Sequence, residues 1–224
     1  MIRKATIADW PYISEISAIS GYEDYINRIG AGYLAQGDVF VNDASAITGF
    51  MKVESMPDNS MWISGLRVHP DHRRMNIASD LLQYAYSIAR STGKGYVRAL
   101  VESTNYKSIG LMKKNGMSIE ETFDFYNGGI DTSEYKRRDL KISHLVYYDW
   151  RFIKACKGFL ASNSALVYAD MPESPTYTVI YGSDFTYTDK GSTCAPASYR
   201  NSINLKRVDD FPSGELFQRK IIKT

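Results

Sequence analysis

The stretch Ile63-Ser64-Gly65-Leu66-Arg67-Val68-His69-Pro70-Asp71-His72-Arg73-Arg74-Met75-Asn76-Ile77-Ala78-Ser79 joins a strand to a helix through a loop. The loop cannot stay regular past Pro70, which lacks an amide proton and restricts the residue before it. A helix starting near Asn76 or Ile77 turns several free backbone N–H groups, and the positive end of its dipole, toward one point. Such a junction accepts anions, with phosphate the usual guest. Arg73 and Arg74 at the rim add positive charge. Gly65, inside the strand, signals a bulge or a close backbone approach. On the local pattern alone, a basic solvated loop between two core elements explains the same residues equally well.

Strands and helices alternate around this segment from residue 1 to about 126. Ile2 to Ala5 is a short apolar start; Thr6 then suits an N-cap, with Trp10, Ile13, Ile16 and Ile19 at helical spacing. A second helix is expected over Glu23 to Ala35, closed by Gln36-Gly37. Three strands follow, Val39 to Val41, Ala46 to Glu54 and Met61 to Val68, with turn chemistry between them that implies an antiparallel meander. Leu81, Leu82, Ala85 and Ile88 give the helix over Ile77 to Ala89 an apolar face, ended near Gly93. A strand over Tyr96 to Val101, a helix over Asn105 to Lys114 and a strand over Met117 to Tyr126 complete the series.

Asn127-Gly128-Gly129-Ile130-Asp131 opens a linker that reaches residue 140, and beyond it the texture changes. Residues 128–224 carry 14 Lys+Arg against 11 Asp+Glu, while residues 1–127 are close to neutral. The tail suggests a helix over Trp150 to Leu160 and strands over Ala165 to Tyr168, Tyr177 to Tyr181 and Phe185 to Tyr187, broken by Pro- and Gly-containing turns. The division is therefore a first domain over 1–130, a linker over 131–140 and a small α+β unit over 141–224.

Composition excludes several classes. In 224 residues, 44% hydrophobic and 23% charged content belong to a globular chain with ample core material, not a disordered one. The formal net charge of +2 supplies no global field for nucleic acid. No apolar run approaches the ~20 residues of a membrane span, and the start lacks the apolar core of a signal peptide. Cys156 and Cys194 are too few and too far apart for a metal or disulfide scaffold, so a cytoplasmic, metal-free protein is expected.

Taken with its surroundings, Ile63 to Ser79 resembles the acetyl-CoA-binding motif of the GNAT superfamily of N-acetyltransferases. That motif runs from an apolar strand, through a Pro, to Arg/Gln-x-x-Gly-x-Gly/Ala at a helix start. Arg73 and Ala78 match its defined positions; Asn76 replaces a glycine, and Asn tolerates the left-handed conformation better than most residues. Ile2-Arg3-Lys4-Ala5-Thr6…Asp9 is similar to the family's first strand and helix. Asn105…Ser108…Leu111…Lys114-Asn115-Gly116-Met117 parallels its second cofactor-contacting helix. The ordered set implies a GNAT acyl-CoA N-acyltransferase fold, an α/β mixed sheet, with a small α+β C-terminal domain.

The resemblance also implies roles. The backbone of Leu66, Arg67 and Val68 would pair with the pantetheine arm as an extra strand, with Gly65 beside the splayed position and an N–H there polarising the thioester carbonyl. The N–H groups of Arg74, Met75, Asn76, Ile77, Ala78 and Ser79, with Arg73 nearby, would cradle the pyrophosphate, and Asn105 would contact the cofactor. A neutral amine would attack acetyl-CoA directly, with most of the rate from positioning. The tail, following the strand nearest the family's acceptor cleft, would cap the acceptor side.

Two usual catalytic positions are unoccupied by usable side chains. Met112 stands where family members often carry a proton-donating Tyr, and Leu100 where some carry a carboxylate base. Glu102, on the same strand face as Leu100, is the first substitute base and Glu54 the second; Tyr106 and Tyr126 are possible acids. An alternative is a catalytically weak acyl-CoA-binding sensor or interaction protein, which Asn76, Leu100 and Met112 favour. A nucleic-acid accessory role would rest on Lys136-Arg137-Arg138, but four nearby acids make that run a solvated linker face. His69 and His72 lack further ligands and fit a surface loop better than a metal site.

Overall fold

The computed structural model describes residues 1–21, 25–55, 59–127, 178–181, 185–188, 192–196 and 213–222. The chain opens with strand β1 (Ile2–Lys4), a 3-10 turn (Ile7–Asp9) and helix α1 (Trp10–Ile19). Ile13 and Ile16 of the expected apolar face are buried, whereas Ile19 is exposed at the helix end. Helix α2 covers only Tyr25–Ile29 and passes into a 3-10 segment over Gly30–Ala35. The single helix expected over 23–35 is thus broken. Gly30 adopts φ 71, a left-handed conformation that no α-helix can continue through.

Strands β2 (Asp38–Asp43), β3 (Ile47–Ser55) and β4 (Ser60–Val68) form the expected antiparallel meander. Helix α3 (Ile77–Ser91) buries Leu81, Leu82 and Ala85 as expected, together with Ile77, Tyr86 and Ala89, whereas Ile88 is only partly buried. It closes in a Schellman turn, in which Gly93 N donates to Arg90 O (3.2 Å) and Lys94 N to Ala89 O (2.8 Å). Strand β5 (Tyr96–Glu102), helix α4 (Tyr106–Lys114) and strand β6 (Ser118–Asn127) follow. Further on come β7 (Thr178–Tyr181), β8 (Phe185–Thr188), β9 (Ser192–Pro196) and β10 (Gly214–Lys220).

The ten strands among the described residues form one sheet, in the order β1-β2-β3-β4-β5-β10-β6-β9-β8-β7. The seven from β1 to β6 with β10 make a mixed sheet, in which only the β4–β5 pair is parallel. One face of this sheet packs on α3 and α4, around Met51, Ile63, Leu81, Val97, Met112 and Phe217. The other packs on α1 and the α2 region, around Ile13, Ile16, Tyr33, Val41 and Phe50.

Strand β10 corrects the reading of residues 141–224 as a unit apart. It lies inside the first domain's sheet, antiparallel to β5 from Gly214↔Glu102 to Lys220↔Tyr96 and antiparallel to β6 on its other edge. Leu216 and Phe217, pointing to opposite faces, are both 0% exposed. A strand covered on both sides shows no period-2 alternation, and so it leaves no pattern to recognise. Arg98 crosses three strands at this seam, donating to Gln218 Oε1 (2.7 Å) on β10 and to Ser60 Oγ (3.2 Å) on β4. Strands β7 and β8 fall close to two expected tail strands, while β9 was not anticipated. The helix over 150–160, the strand over 165–168 and the linker over 131–140 lie outside the described residues.

At the N-terminus, Arg3 holds Asp9 by two bonds of 2.8 Å, and Asp9 Oδ2 accepts from Thr6 N (2.7 Å) and Thr6 Oγ1 (3.0 Å). Thr6 thus stands at the expected N-terminal boundary, with the Asp9 carboxylate accepting its amide and hydroxyl and the Asp9 amide donating to Thr6 O (3.0 Å). Hydrogen bonding to Arg3, foremost, and to Thr6 holds the Asp9 carboxyl well below the usual carboxylate range, against the opposing effect of its burial. A lowered folded value gives stability that is complete above the ordinary Asp pKa of about 4 and lost as pH falls through the folded value. The Asp9→Asn variant is expected to lose about 2 kcal/mol at neutral pH. That corresponds to a melting temperature roughly 5 °C lower. Melting curves of variant and wild type should converge as the pH is lowered below 4; a constant gap would refute the assignment.

Candidate active site

Three consecutive pairs join β4 to β5, Ser60↔Tyr96, Met61↔Val97 and Trp62↔Arg98, and the pairing then stops. Both strands continue, β4 to Val68 and β5 to Glu102, so they part into a wedge. The cause sits in β4. Its register against β3 runs Lys52↔Ser64 and then Phe50↔Arg67, which leaves Gly65 and Leu66 opposite Met51 alone. That is a β-bulge, and it bends the strand away from its neighbour. Gly65 takes φ 60 there. A Cβ at this position would lie 2.1 Å from the Tyr33 hydroxyl, so conformation and space both demand glycine. Beyond the bulge, Leu66, Arg67 and Val68 remain half-buried, with an inner edge that β5 does not use. A strand that parts from its neighbour leaves room for an extended guest to pair alongside it; here Leu66 O accepts from Arg67 Nη1 (3.1 Å).

The wedge leads to the turn before α3. His69 Nδ1 accepts from Asp71 N (3.2 Å) within a 3-10 turn over Pro70–His72. Arg74 and Asn76 then adopt φ 66 and φ 61. Asn76 thus takes the left-handed conformation of the glycine it replaces. Alternating left-handed residues turn successive amides toward a common concavity, which suits an anion. The first amide in the α3 ladder is that of Asp80, which donates to Asn76 O (2.9 Å), so the amides of Ile77, Ala78 and Ser79 are left to the helix N-terminus. Arg73, Arg74 and Met75 are exposed around it. Lys114 Nζ donates to Asn76 Oδ1 (3.2 Å), and Asn115 Nδ2 to Ser79 Oγ (3.1 Å), so α4 braces the turn from behind.

The other expected residues separate. Asn105 caps α4, with its Oδ1 accepting from Ser108 N (3.1 Å). Glu102 is half-buried at the end of β5, on the far wall of the wedge. Met112 is a core residue at 4% exposure, and Leu100 packs where a Gly214 Cβ would stand. Tyr106 is 77% exposed at the start of α4. Among the described residues, no group of three or more His, Cys, Asp or Glu side chains is placed to hold a metal, and no helix is long and apolar enough to cross a membrane.

A second cluster lies behind the near wall, and the sequence pattern marked only one of its members. Lys52 and Glu54, two apart on β3, share the face that carries Phe50 and packs on Tyr33. Both are buried, with Lys52 Nζ 3.7 Å from Glu54 Oε2 and 4.7 Å from the Tyr33 ring centroid. Tyr33 is fully buried, its hydroxyl against Gly65 at the bulge. Ser64 Oγ, opposite Lys52, is also buried and has no hydrogen-bond partner among the described residues. The available signal was Lys52 itself, a charged residue amid the apolar run of a central strand. Tyr33, in a segment read as plain helix, carried none.

The profile of the Acetyltransferase (GNAT) family matches residues 3–117, just over half of the chain, which therefore belongs to that family. Among solved structures, a suspected acetyltransferase from Thermoplasma acidophilum shares the fold over 98% of this chain and 99% of its own, at 15% identity and a TM-score of 0.63. Ard1 from Thermoplasma volcanium matches 55% of this chain and 84% of its own, at 24% identity and a TM-score of 0.50. The suspected acetyltransferase yncA from Salmonella typhimurium, solved with acetyl-CoA, matches 55% and 81% at 27% identity and a TM-score of 0.46. No curated protein matches the chain.

Proposed function

We propose that the chain transfers the acetyl group of acetyl-CoA to a primary amine by direct attack. One observation carries this reading: the β4–β5 wedge, opened at Gly65, runs into the turn where the amides of Ile77, Ala78 and Ser79 converge. A long guest with an extended amide-bearing arm and a pyrophosphate suits such a channel. The residues present fit it. The backbone of Leu66, Arg67 and Val68, where β4 parts from β5, would receive the pantetheine arm. The amides of Arg74 to Ser79, with Arg73 and Arg74 at the rim, would receive the pyrophosphate. The buried Ser64 hydroxyl, costly without a partner, stands beside the bulge. Asn105, whose Oδ1 is committed to its helix cap, would contribute through its amide nitrogen.

Positioning then supplies most of the rate, since a bound thioester and a bound amine need no diffusional encounter. An N–H at the bulge would stabilise charge developing on the thioester oxygen. For the base we retain Glu102 on the far wall and Glu54 behind the near wall. Residues 128–212 connect β6 to β10 and include β7, β8 and β9, which extend the sheet beyond β6, and we assign this segment the acceptor side. A cytoplasmic setting fits the two widely separated cysteines.

A CoA-binding sensor is the second reading, favoured by Leu100 and by the burial of Met112 at the two usual catalytic positions. Calorimetry with CoA, followed by thiol release from acetyl-CoA over a panel of polyamines, free lysine and peptides with free N-termini, separates the two. Amine-dependent thiol release is expected. CoA binding with no turnover of any amine would favour the sensor.

A further inference from the structure

Met112, at the position where family members often carry a proton-donating Tyr, is a core residue, and Tyr106 is 77% exposed at the start of α4, so a donor for the departing thiolate is sought elsewhere among the described residues. We infer that Tyr33 fills this role, from the opposite side of the sheet to α4, through the gap that Gly65 leaves in β4. The inference rests on the acetyl transfer proposed above, with the thioester at the bulge.

Several observations converge on Tyr33. Its hydroxyl occupies the space that a Cβ at Gly65 would need, so it reaches the backbone at the bend of β4 where the wedge opens. The residue is 0% exposed, and its ring belongs to the core of the α1 face, which fixes the hydroxyl's position. Lys52 Nζ stands over the ring, 4.7 Å from its centroid, and 3.7 Å from Glu54 Oε2. Ring packing and a neighbouring ammonium make a hydroxyl that can part with its proton without leaving an uncompensated buried charge.

The step balances. The amine nitrogen bonds to the acetyl carbon, and the carbon–sulfur bond breaks. The sulfur keeps the electron pair and takes the Tyr33 proton, leaving CoA as the thiol. The proton shed by the acylated nitrogen goes to Glu54. The glutamic acid then returns that proton to the phenolate, and turnover ends with both groups as they began.

The test compares wild type with Tyr33→Phe, which keeps the ring and removes only the hydroxyl, and with Lys52→Met as a second variant. CoA affinity is measured by calorimetry and folding by melting temperature. Thiol release from acetyl-CoA is followed with the amine panel and with hydroxylamine, a nucleophile small enough to reach the thioester whatever the acceptor. Proton donation is expected to be worth about 100-fold or more in kcat. Tyr33→Phe should lose that much, with CoA affinity within twofold and melting unchanged, and Lys52→Met should be slowed in the same direction. Retention of kcat within threefold by Tyr33→Phe would overturn the role of Tyr33 and leave acetyl transfer standing. Parallel losses of CoA affinity and melting temperature would make Tyr33 a packing residue and also overturn it. A wild type that binds CoA but accelerates no acceptor, hydroxylamine included, would overturn acetyl transfer and this step with it.

Discussion

A chain ending at residue 212 is expected to show no cooperative unfolding transition and to accumulate as insoluble protein. The missing strand, β10, is not a terminal appendage. It pairs with β5 along all seven of its residues and with β6 on its other edge, and Leu216 and Phe217 are fully buried on opposite faces. Removing a buried Leu and a buried Phe costs on the order of 2–5 kcal/mol each. The inner edges of β5 and β6 would also lose their partners, and buried unpaired amides and carbonyls are expensive. The sum reaches the ~5–15 kcal/mol by which ordinary domains are stable. The converse experiment keeps β10 and removes what precedes it. Ser213 Oγ donates to Asp124 Oδ1 (2.5 Å), and Gly214 pairs with Phe123, so the end of β6 and the start of β10 already face each other as antiparallel neighbours. Replacing residues 125–212 with Asn-Gly, the favoured two-residue turn, should give a folded domain that binds CoA. On the role assigned to residues 128–212, that domain should lose discrimination among amines. Cooperative melting of the 1–212 chain would refute the sheet order.

Gly65→Ala is the point substitution with the largest expected effect. Alanine in the left-handed region costs about 1–2 kcal/mol. Its methyl would also lie 2.1 Å from the hydroxyl of a fully buried Tyr33. Overpacking of this kind adds roughly 1–3 kcal/mol. A combined loss of about 3 kcal/mol should lower the melting temperature by roughly 10 °C. If the bulge relaxes to escape the strain, β4 closes on β5 and CoA affinity should fall at least tenfold. The two costs can be separated by a double-mutant cycle with Tyr33→Phe. Removing the hydroxyl relieves the contact but not the backbone strain, so Gly65→Ala should cost about 1 kcal/mol less in that background. Strict additivity in chemical denaturation would show that the two residues do not meet.

How much of this was legible in the sequence follows from how each element is buried. Helix α3 has one apolar stripe, and strands β2 to β4 are separated by turn residues, so their patterns stood out. The turn before α3 was legible because its geometry is local: Pro70, Arg74 and Asn76 shape the backbone over a few residues. Strand β10 was not, since both of its faces are covered and its partners lie far upstream. Tyr33 was missed for a related reason. Its importance depends on a void at Gly65, and only the fold brings those two residues together. Gly30 was treated as one more helix residue, although its left-handed conformation ends α2 and turns the chain so that Tyr33 faces the sheet.

The place of β10 also sets a timetable for synthesis. Arg98 and its partner Gln218 are separated by 120 residues. At about 5–20 residues per second, β5 leaves the ribosome on the order of ten seconds before the strand that completes it. Through that interval the two innermost strands present open edges, and the sheet cannot close before almost all of the chain has emerged. Such long-range pairing makes for slow folding and a period of exposure to aggregation. Production of this protein should accordingly be sensitive to growth temperature and to holding chaperones, even where the finished fold is stable.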